Sequence, residues 1–309
     1  MSVNAKAQNR SGEFIRRSRG DKIADVFITL WMVLLLLFFL YPLLNMFSIS
    51  ISSDASVLAG QVTFYPIGLN AGAYELIFSY GDLWRSFGNT IFVAGAGCFL
   101  SLLFLCLAAY PLAFGGQFYG RKLYNLFILF TMWFNGGMIP LFLTIGKLGL
   151  QDSLWSLIFN GLMTAYYVVI VRSYFQSVPD SIVESARLDG ANDFMILFRL
   201  IVPLSKPVLA TVALWVIVGH WNDYLNPLMF LSSRENYTLQ LRLKEMVLNA
   251  ETSTMNISMS KSSGANIAAA LGQQTKNAVL VVAMIPMIVL YPFIQRYFVG
   301  GVMLGSVKG

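Results

Sequence analysis

Histidine occurs once among the 309 residues, cysteine twice, and charged side chains make up only 12% of the chain. Each scarcity removes a class of function. With His220 as the only imidazole, a His-based metal cluster cannot form. No nucleophile–base–acid set is visible either, so a membrane enzyme is the poorest reading. Cys98 and Cys106 lie eight apart in one apolar run, two helical turns from each other, and cannot pair; they read as small packing residues. A phosphate loop of the form Gly-x-x-x-x-Gly-Lys-Ser/Thr is missing, since Gly146-Lys147-Leu148 does not satisfy it. Work driven by ATP would therefore need a second polypeptide. Soluble domains carry about 25% charged residues, so 12% charged with 57% hydrophobic places this chain in a membrane. The net charge of +6 would point to nucleic acid in a soluble protein. Here the basic residues gather at the edges of apolar runs, where anionic lipid and topology account for them without nucleic acid.

What is present is a series of apolar runs at residues 24–47, 89–114, 123–145, 153–174, 207–230 and 276–298. Each is about 20–26 residues long, enough to cross a hydrocarbon core of ~30 Å. They predict an all-α integral membrane protein with six transmembrane helices in a domain spanning 23–299, between a basic tail at 1–22 and a C-terminal tail at 300–309. The first run follows six Lys or Arg residues and is too long for a signal peptide, so it reads as an uncleaved span with Trp31 and Tyr41 as interface anchors. In the second run, Gly95, Gly97, Ser101, Ala108 and Ala109 allow close helix approach. Asn135-Gly136-Gly137 and Pro140 break the third; Pro286 and Pro292 interrupt the sixth. Irregular backbone at membrane depth is tolerated only against protein or water. Asn135 is therefore a candidate pathway residue, with a packing kink as the alternative. Basic residues in the N-terminal tail, at Arg121-Lys122 and around 179–207 put these segments and both termini in the cytoplasm of a multi-pass cell-membrane protein. A long outer loop is expected at 231–275; its Arg234, Arg242, Lys244 and Lys261 dissent, offset by Glu235, Glu245 and Glu251.

The stretch 179–207 lies between two apolar runs yet carries Asp180, Glu184, Arg187, Asp189, Asp193, Arg199 and Lys206. It reads as helix, turn, helix: residues 181–188 wind, Asp189-Gly190 turns, and residues 194–201 wind again until Pro203 stops them. Gly190 can take positive φ without a Cβ clash. The apolar Phe194, Met195, Ile196, Leu197 and Phe198 call for a greasy neighbour.

Glu184-Ser185-Ala186, Gly190 four positions later, and Leu200-Ile201-Val202-Pro203 after nine more residues resemble the cytoplasmic loop of permease subunits of bacterial ABC importers. That loop runs Glu-Ala-Ala, three residues, Gly, nine residues, Ile-x-Leu-Pro; this chain departs at Ser185, Leu200 and Val202, all of similar size. Glu184 to Gly190 (ESARLDG), Trp221-Asn222-Asp223-Tyr224, Gly136 to Pro140 with Leu148-Gly149-Leu150, and the ending from Gln295 are similar to carbohydrate importers. The class is typified by the smaller six-helix subunit of the maltose transporter, and the ending resembles its branch for complex polysaccharide and oligosaccharide. The resemblance implies a type I ABC importer permease fold and a heterodimer with a second permease subunit. It also implies two ATPase subunits holding ATP and magnesium, an extracellular solute-binding protein and a carbohydrate substrate, with no cofactor in this chain. Glu184, Ser185, Ala186, Asp189, Gly190 and Pro203 would belong to the loop that docks on the ATPase, and the C-terminal tail would reach the ATPase interface or fray.

His220 and Asp223 are the only ionisable pair well inside a span; three apart, they are expected on one helix face. With Asn222 and a stacking face from Trp221 they form a candidate sugar path or gate, against the alternative of an interhelical clamp. An ABC importer of another solute would share the 184–203 loop but lack Trp221 to Tyr224. A secondary transporter would want an internal repeat and charges at midspan, and neither is found.

Overall fold

The computed structural model describes residues 19–79, 81–114, 119–258 and 263–302. Most of the basic tail 1–22 and of the tail 300–309 falls outside the described residues. Helices occupy nearly everything else: α1 (Arg19–Ser50), α2 (Asp54–Leu58), α3 (Gly72–Ser79), α4 (Gly81–Phe114), α5 (Arg121–Trp133), α6 (Met138–Lys147), α7 (Leu154–Asn160), α8 (Ala165–Phe175), α9 (Asp180–Leu188), α10 (Asp193–Ile196), α11 (Val202–Leu204), α12 (Lys206–Asn222), α13 (Leu225–Phe230), α14 (Leu239–Ser258) and α15 (Ser263–Val302). Among the described residues no strand forms; one isolated bridge pairs Ser52 with Leu69.

The column at the centre is α4. Gly97, Ser101, Leu105 and Ala109, spaced by four, form a buried stripe along it, and α8 and α12 pack on either side. Lipid tails are as apolar as leucine, so what holds these helices together is close van der Waals packing of small residues rather than expulsion of water. The main cluster joins Leu105 and Tyr110 of α4 to Val171 and Phe175 of α8, Ile196 and Ile201 beyond the turn at Gly190, and Val212 of α12. By contrast α1 is apolar all round and exposed along most of its length, as a helix facing lipid or a partner should be.

Only two helices, covering Lys22–Ser50 and Gly81–Phe114, are long and apolar enough to cross a membrane unaided among the described residues. Three further candidates are bent pairs: α5 with α6 at 116°, α7 with α8 at 51°, and residues 193–204 with α12 at 83°. The break in the third apolar run is thus real, with Gly137 at φ 85°. The fourth and fifth runs, expected unbroken, also split. In the sixth, α15 runs through Pro286 and Pro292 without interruption; membrane helices tolerate proline where local adjustment of the turn re-satisfies the freed carbonyl.

Two other expectations are corrected. Pro203 does not end the second helix of 179–207. Residues Leu197–Ile201 widen into a π-turn, the N–H of Val202 reaching back to the carbonyl of Leu197, and the winding continues through Leu204. The wider turn makes room for a residue that lacks an N–H and crowds the carbonyl four positions back. The loop expected at 231–275 is mostly helical: α14 fills 239–258 and packs along α15. Its Leu239 and Leu243, four apart, seat in a cluster with Ile77, Trp221, Ala278 and Val279. That helical spacing was hidden behind Ser, Thr and Asn residues further along.

The His220 ring is wedged between two glycines. A Cβ at Gly97 of α4 would lie 2.6 Å from its Nε2, and one at Gly161, in the α7–α8 break, 3.3 Å from its Cε1. Gly97→Ala should therefore lower the melting temperature of the purified complex, by the equivalent of about 1–3 kcal/mol of overpacking. Adding His220→Ala should recover most of that loss. Equal loss in the single and double variants would show that the ring does not set the spacing.

Candidate functional site: a helical hairpin and a polar helix break

The hairpin begins after Pro179, with Val183 and Ala186 of α9 turned into the core and Glu184, Ser185 and Asp189 exposed. At its tip Gly190 takes φ 83°, the N–H of Gly190 donates to the carbonyl of Arg187 at 3.0 Å, and that of Ala191 to Ala186 at 3.0 Å. This pair of bonds closes a helix whose following residue is left-handed. A Cβ at Gly190 would meet nothing within 4 Å, so φ alone demands glycine there. Asn192, which the sequence reading passed over, then caps α10 by accepting the N–H of Met195 at 2.8 Å. Ile196, Leu197 and Ile201 anchor the return helix of the hairpin in the main cluster. Leu188 and Phe194 stay 89% and 67% exposed, and with Met195 and Phe198 they leave an apolar face uncovered. Pro203 lies exposed beyond it.

The second group sits where α12 stops. Asp223 is extended (φ −75°, ψ 118°), so the helix face expected to carry both His220 and Asp223 ends at Asn222. Among the described residues no hydrogen bond joins the two. Instead the Asp223 carboxylate accepts the N–H of Asn226 at 3.1 Å and its Nδ2 at 2.8 Å, and Asn226 Oδ1 accepts Asn160 Nδ2 at 3.1 Å. Asp223 therefore caps α13 and ties it to the end of α7. Asn160 and Asn226 were not foreseen; the Asp-x-x-Asn spacing ahead of Pro227 was the available signal. Trp221 is 4% exposed, edge-on to Phe87, and its Nε1 has no partner among the described groups. Asn222 is exposed and donates to the carbonyl of Val218 at 3.0 Å. Asn135 is exposed too and accepts the N–H of Gly137 at 2.8 Å; no bond links it to the 220–226 group among the described residues.

A third element holds the connection before α7 to the one after α13. Asp152, at φ 55°, accepts the N–H groups of Ser232 at 3.0 Å and Ser233 at 2.9 Å, while its carbonyl accepts Asn236 Nδ2 at 2.7 Å. The carboxylate also accepts the Ser233 hydroxyl and Asn236 Nδ2, and the bonds to the carboxylate, the Ser233 hydroxyl foremost, hold it down at about 2.

Two outcomes follow. Gly190→Val should leave the chain in the membrane but misalign the hairpin, costing about 1–2 kcal/mol for a left-handed β-branched residue, whereas Gly190→Asn should be tolerated. The check is complex yield together with ATP hydrolysis in the assembled complex. For Asp152 the folded pKa lies below the ordinary carboxylate value, so the clamp is intact above about pH 4 and is lost as pH falls toward 2. Asp152→Ala should therefore speed proteolysis near residues 232–236 at neutral pH, and acidification should do the same to the unaltered chain. Equal cleavage rates at pH 7 would contradict the clamp.

Comparison with known proteins gives the family of the chain. Residues 99–303 match the family described as binding-protein-dependent transport system inner membrane component. The polygalacturonan/rhamnogalacturonan transport system permease protein YtcP of Bacillus subtilis is 34% identical over 289 residues, covering 94% of this chain and 99% of that protein. The arabinooligosaccharides transport system permease protein AraQ of the same species is 28% identical and covers 96% and 100%. Among solved structures, a chain of a bacterial ABC transporter involved in import of the acidic polysaccharide alginate superposes with a TM-score of 0.81 at 34% identity, covering 91% of this chain and 99% of that one. The chain belongs to the family of binding-protein-dependent transport system inner membrane components.

Proposed function

We propose that this chain is one permease subunit of an ATP-driven importer that moves an oligosaccharide derived from complex polysaccharide into the cell by alternating access. The observation that carries this is the hairpin at 180–204, whose tip glycine is left-handed and whose apolar face at Leu188, Phe194 and Phe198 lies uncovered. Its relatives YtcP and AraQ bear names of oligosaccharide and polysaccharide permeases. In this reading the hairpin is the coupling element. Glu184, Ser185, Ala186, Asp189, Gly190 and Pro203 lie on or beside the surface that meets an ATPase subunit, which holds ATP and magnesium. A second permease subunit covers much of the exposed apolar surface, and an extracellular binding protein delivers the sugar.

In this reading the six spans are α1, α4, α5 with α6, α7 with α8, α12 with α13, and α15, and both termini, residue 119 and the hairpin lie in the cytoplasm. Single cysteines test this, because Cys98 and Cys106 are buried. Tyr119→Cys should react with membrane-impermeant thiol reagents only after permeabilisation, and Gln151→Cys should react in intact cells. The opposite pattern would invert the topology. Asp223, with Asn222 beside it, is proposed to face the outer half of the path; Trp221, buried in this chain, would support that wall from behind, and His220 would set its spacing.

Function is tested in liposomes holding this chain, its companion permease and the ATPase pair, with the binding protein added. Oligogalacturonide, alginate oligosaccharide and arabino-oligosaccharide are offered as probes. ATP hydrolysis should rise with the loaded binding protein for at least one of them, and that sugar should accumulate inside. Stimulation by none, with an amino acid or phosphate accumulating instead, would overturn the sugar reading.

A further inference from the structure

Tyr110 lies one turn from the end of α4, 7% exposed, with its ring against Phe114 at 5.6 Å. Its hydroxyl donates to Asp193 Oδ1 at 2.9 Å, and Nη2 of Arg187 donates to the same oxygen at 3.2 Å. Three elements thus meet on one carboxylate: the central membrane helix α4, the first hairpin helix α9 and the opening residue of α10. Among the described residues no other hydrogen bond joins α4 to residues 180–204. Beside this junction is a cavity of about 920 Å³, bordered by Phe114, Arg121, Glu184, Arg187 and Asp193.

These parts have unequal freedom. The Tyr110 ring is packed and moves only with α4. The hairpin is separated from α12 by the π-turn at Leu197–Ile201 and the 83° bend at Ser205. π-Turns often occur where helices adjust in function, and the cavity leaves the hairpin room to tilt against α4. A bond between a phenol and a carboxylate that also holds a guanidinium is charge-assisted, roughly twice the strength of a neutral one. At 2.9 Å it is a directional contact that fixes the angle between the hairpin and α4.

We propose that the Tyr110–Asp193–Arg187 junction is the joint through which movement of the hairpin is passed to α4, with Tyr110 and Asp193 as positioning residues. This rests on the coupling reading of the hairpin. Arg187 holds the carboxylate at the correct place across the hairpin turn. Tyr110 converts a tilt of the hairpin into a displacement of α4, and so of the stripe at Gly97 that seats His220. Packing through Ile196 and Ile201 seats the hairpin against α4, and the junction adds the direction that apolar contacts lack.

The test uses the complete transporter in nanodiscs, with Cys98 and Cys106 changed to Ala and spin labels at engineered cysteines. One pair reports on the hairpin (Ser181→Cys, exposed at the start of α9, with Gln151→Cys), the other on α4 (Phe104→Cys with Gln151→Cys). Trapping with ATP and vanadate should change both distances in the otherwise unaltered complex. With Tyr110→Phe, which keeps the ring and removes the donor, the hairpin distance should still change. The α4 distance should lose its change, and ATP hydrolysed per sugar imported should rise roughly tenfold, about what the loss of one charge-assisted hydrogen bond gives. Asp193→Glu should restore part of the coupling that Asp193→Ala abolishes, at an unchanged melting temperature. An α4 change of full size in Tyr110→Phe would overturn the joint, as would a defect that merely tracks a lower melting temperature. If the hairpin distance failed to respond to ATP in the unaltered complex, the coupling reading itself would fall, and the joint with it.

Discussion

A peptide N–H or C=O left without a partner in hydrocarbon costs several kcal/mol, and this requirement governs where the chain can break. Breaks interrupt the chain's long apolar helices at several points, and a side chain or a widened turn meets three of the irregular stretches. Asn135 accepts the N–H of Gly137, and Asp223 accepts that of Asn226. At residues 197–201 the π-turn itself supplies the Val202 bond to Leu197 that Pro203 cannot continue. The breaks after α7 and after α12 share a single polar chain, Asp223 to Asn226 to Asn160. That sharing brings them side by side against α4, with His220 filling the space between Gly97 and Gly161. Two of the breaks are thus gathered at one place and protected by protein, whereas the one at 134–137 lies exposed on this chain.

The hairpin depends on the same rule in reverse. In the proposed placement outside the hydrocarbon its exposed groups meet water, so its design problem is orientation. Gly190 fixes the reversal through φ 83°, Asn192 fixes the start of the return helix, and Ile196, Leu197 and Ile201 bolt that helix to the cluster shared by α4, α8 and α12. What remains is a rigid prow with an apolar face at Leu188, Phe194 and Phe198. It is joined to the membrane bundle by one packed side and one charged junction, a geometry suited to transmitting a push.

Much of this was legible in the sequence, for a physical reason. Glycine and proline act locally, so Gly190, the turn after Leu188 and the break at Asn135-Gly136-Gly137 could be read without knowing the fold. Side-chain periodicity likewise exposed the apolar runs. What escaped depends on neighbours. Pro203 would stop an isolated helix, but here the preceding turn widens. Trp221 next to Asn222 and Asp223 resembled a stacking platform, yet the covering α14 buries it among Ile77, Leu239 and Ala278. Helix α14 was read as loop because polar residues follow its first two apolar turns. Asp152 gave no sign at all, since its partners Ser232, Ser233 and Asn236 lie some 80 residues away.

The central claim is that the hairpin carries ATP-driven movement into the membrane helices, and proximity tests it most directly. A short bifunctional cross-linker attached at Leu188→Cys, in membranes holding the complete transporter, should join this chain to an ATPase subunit, with a yield that changes when ATP is added. Cross-linking only to the companion permease or to lipid, or reaction of Leu188→Cys with a reagent confined to the outside of intact cells, would contradict it.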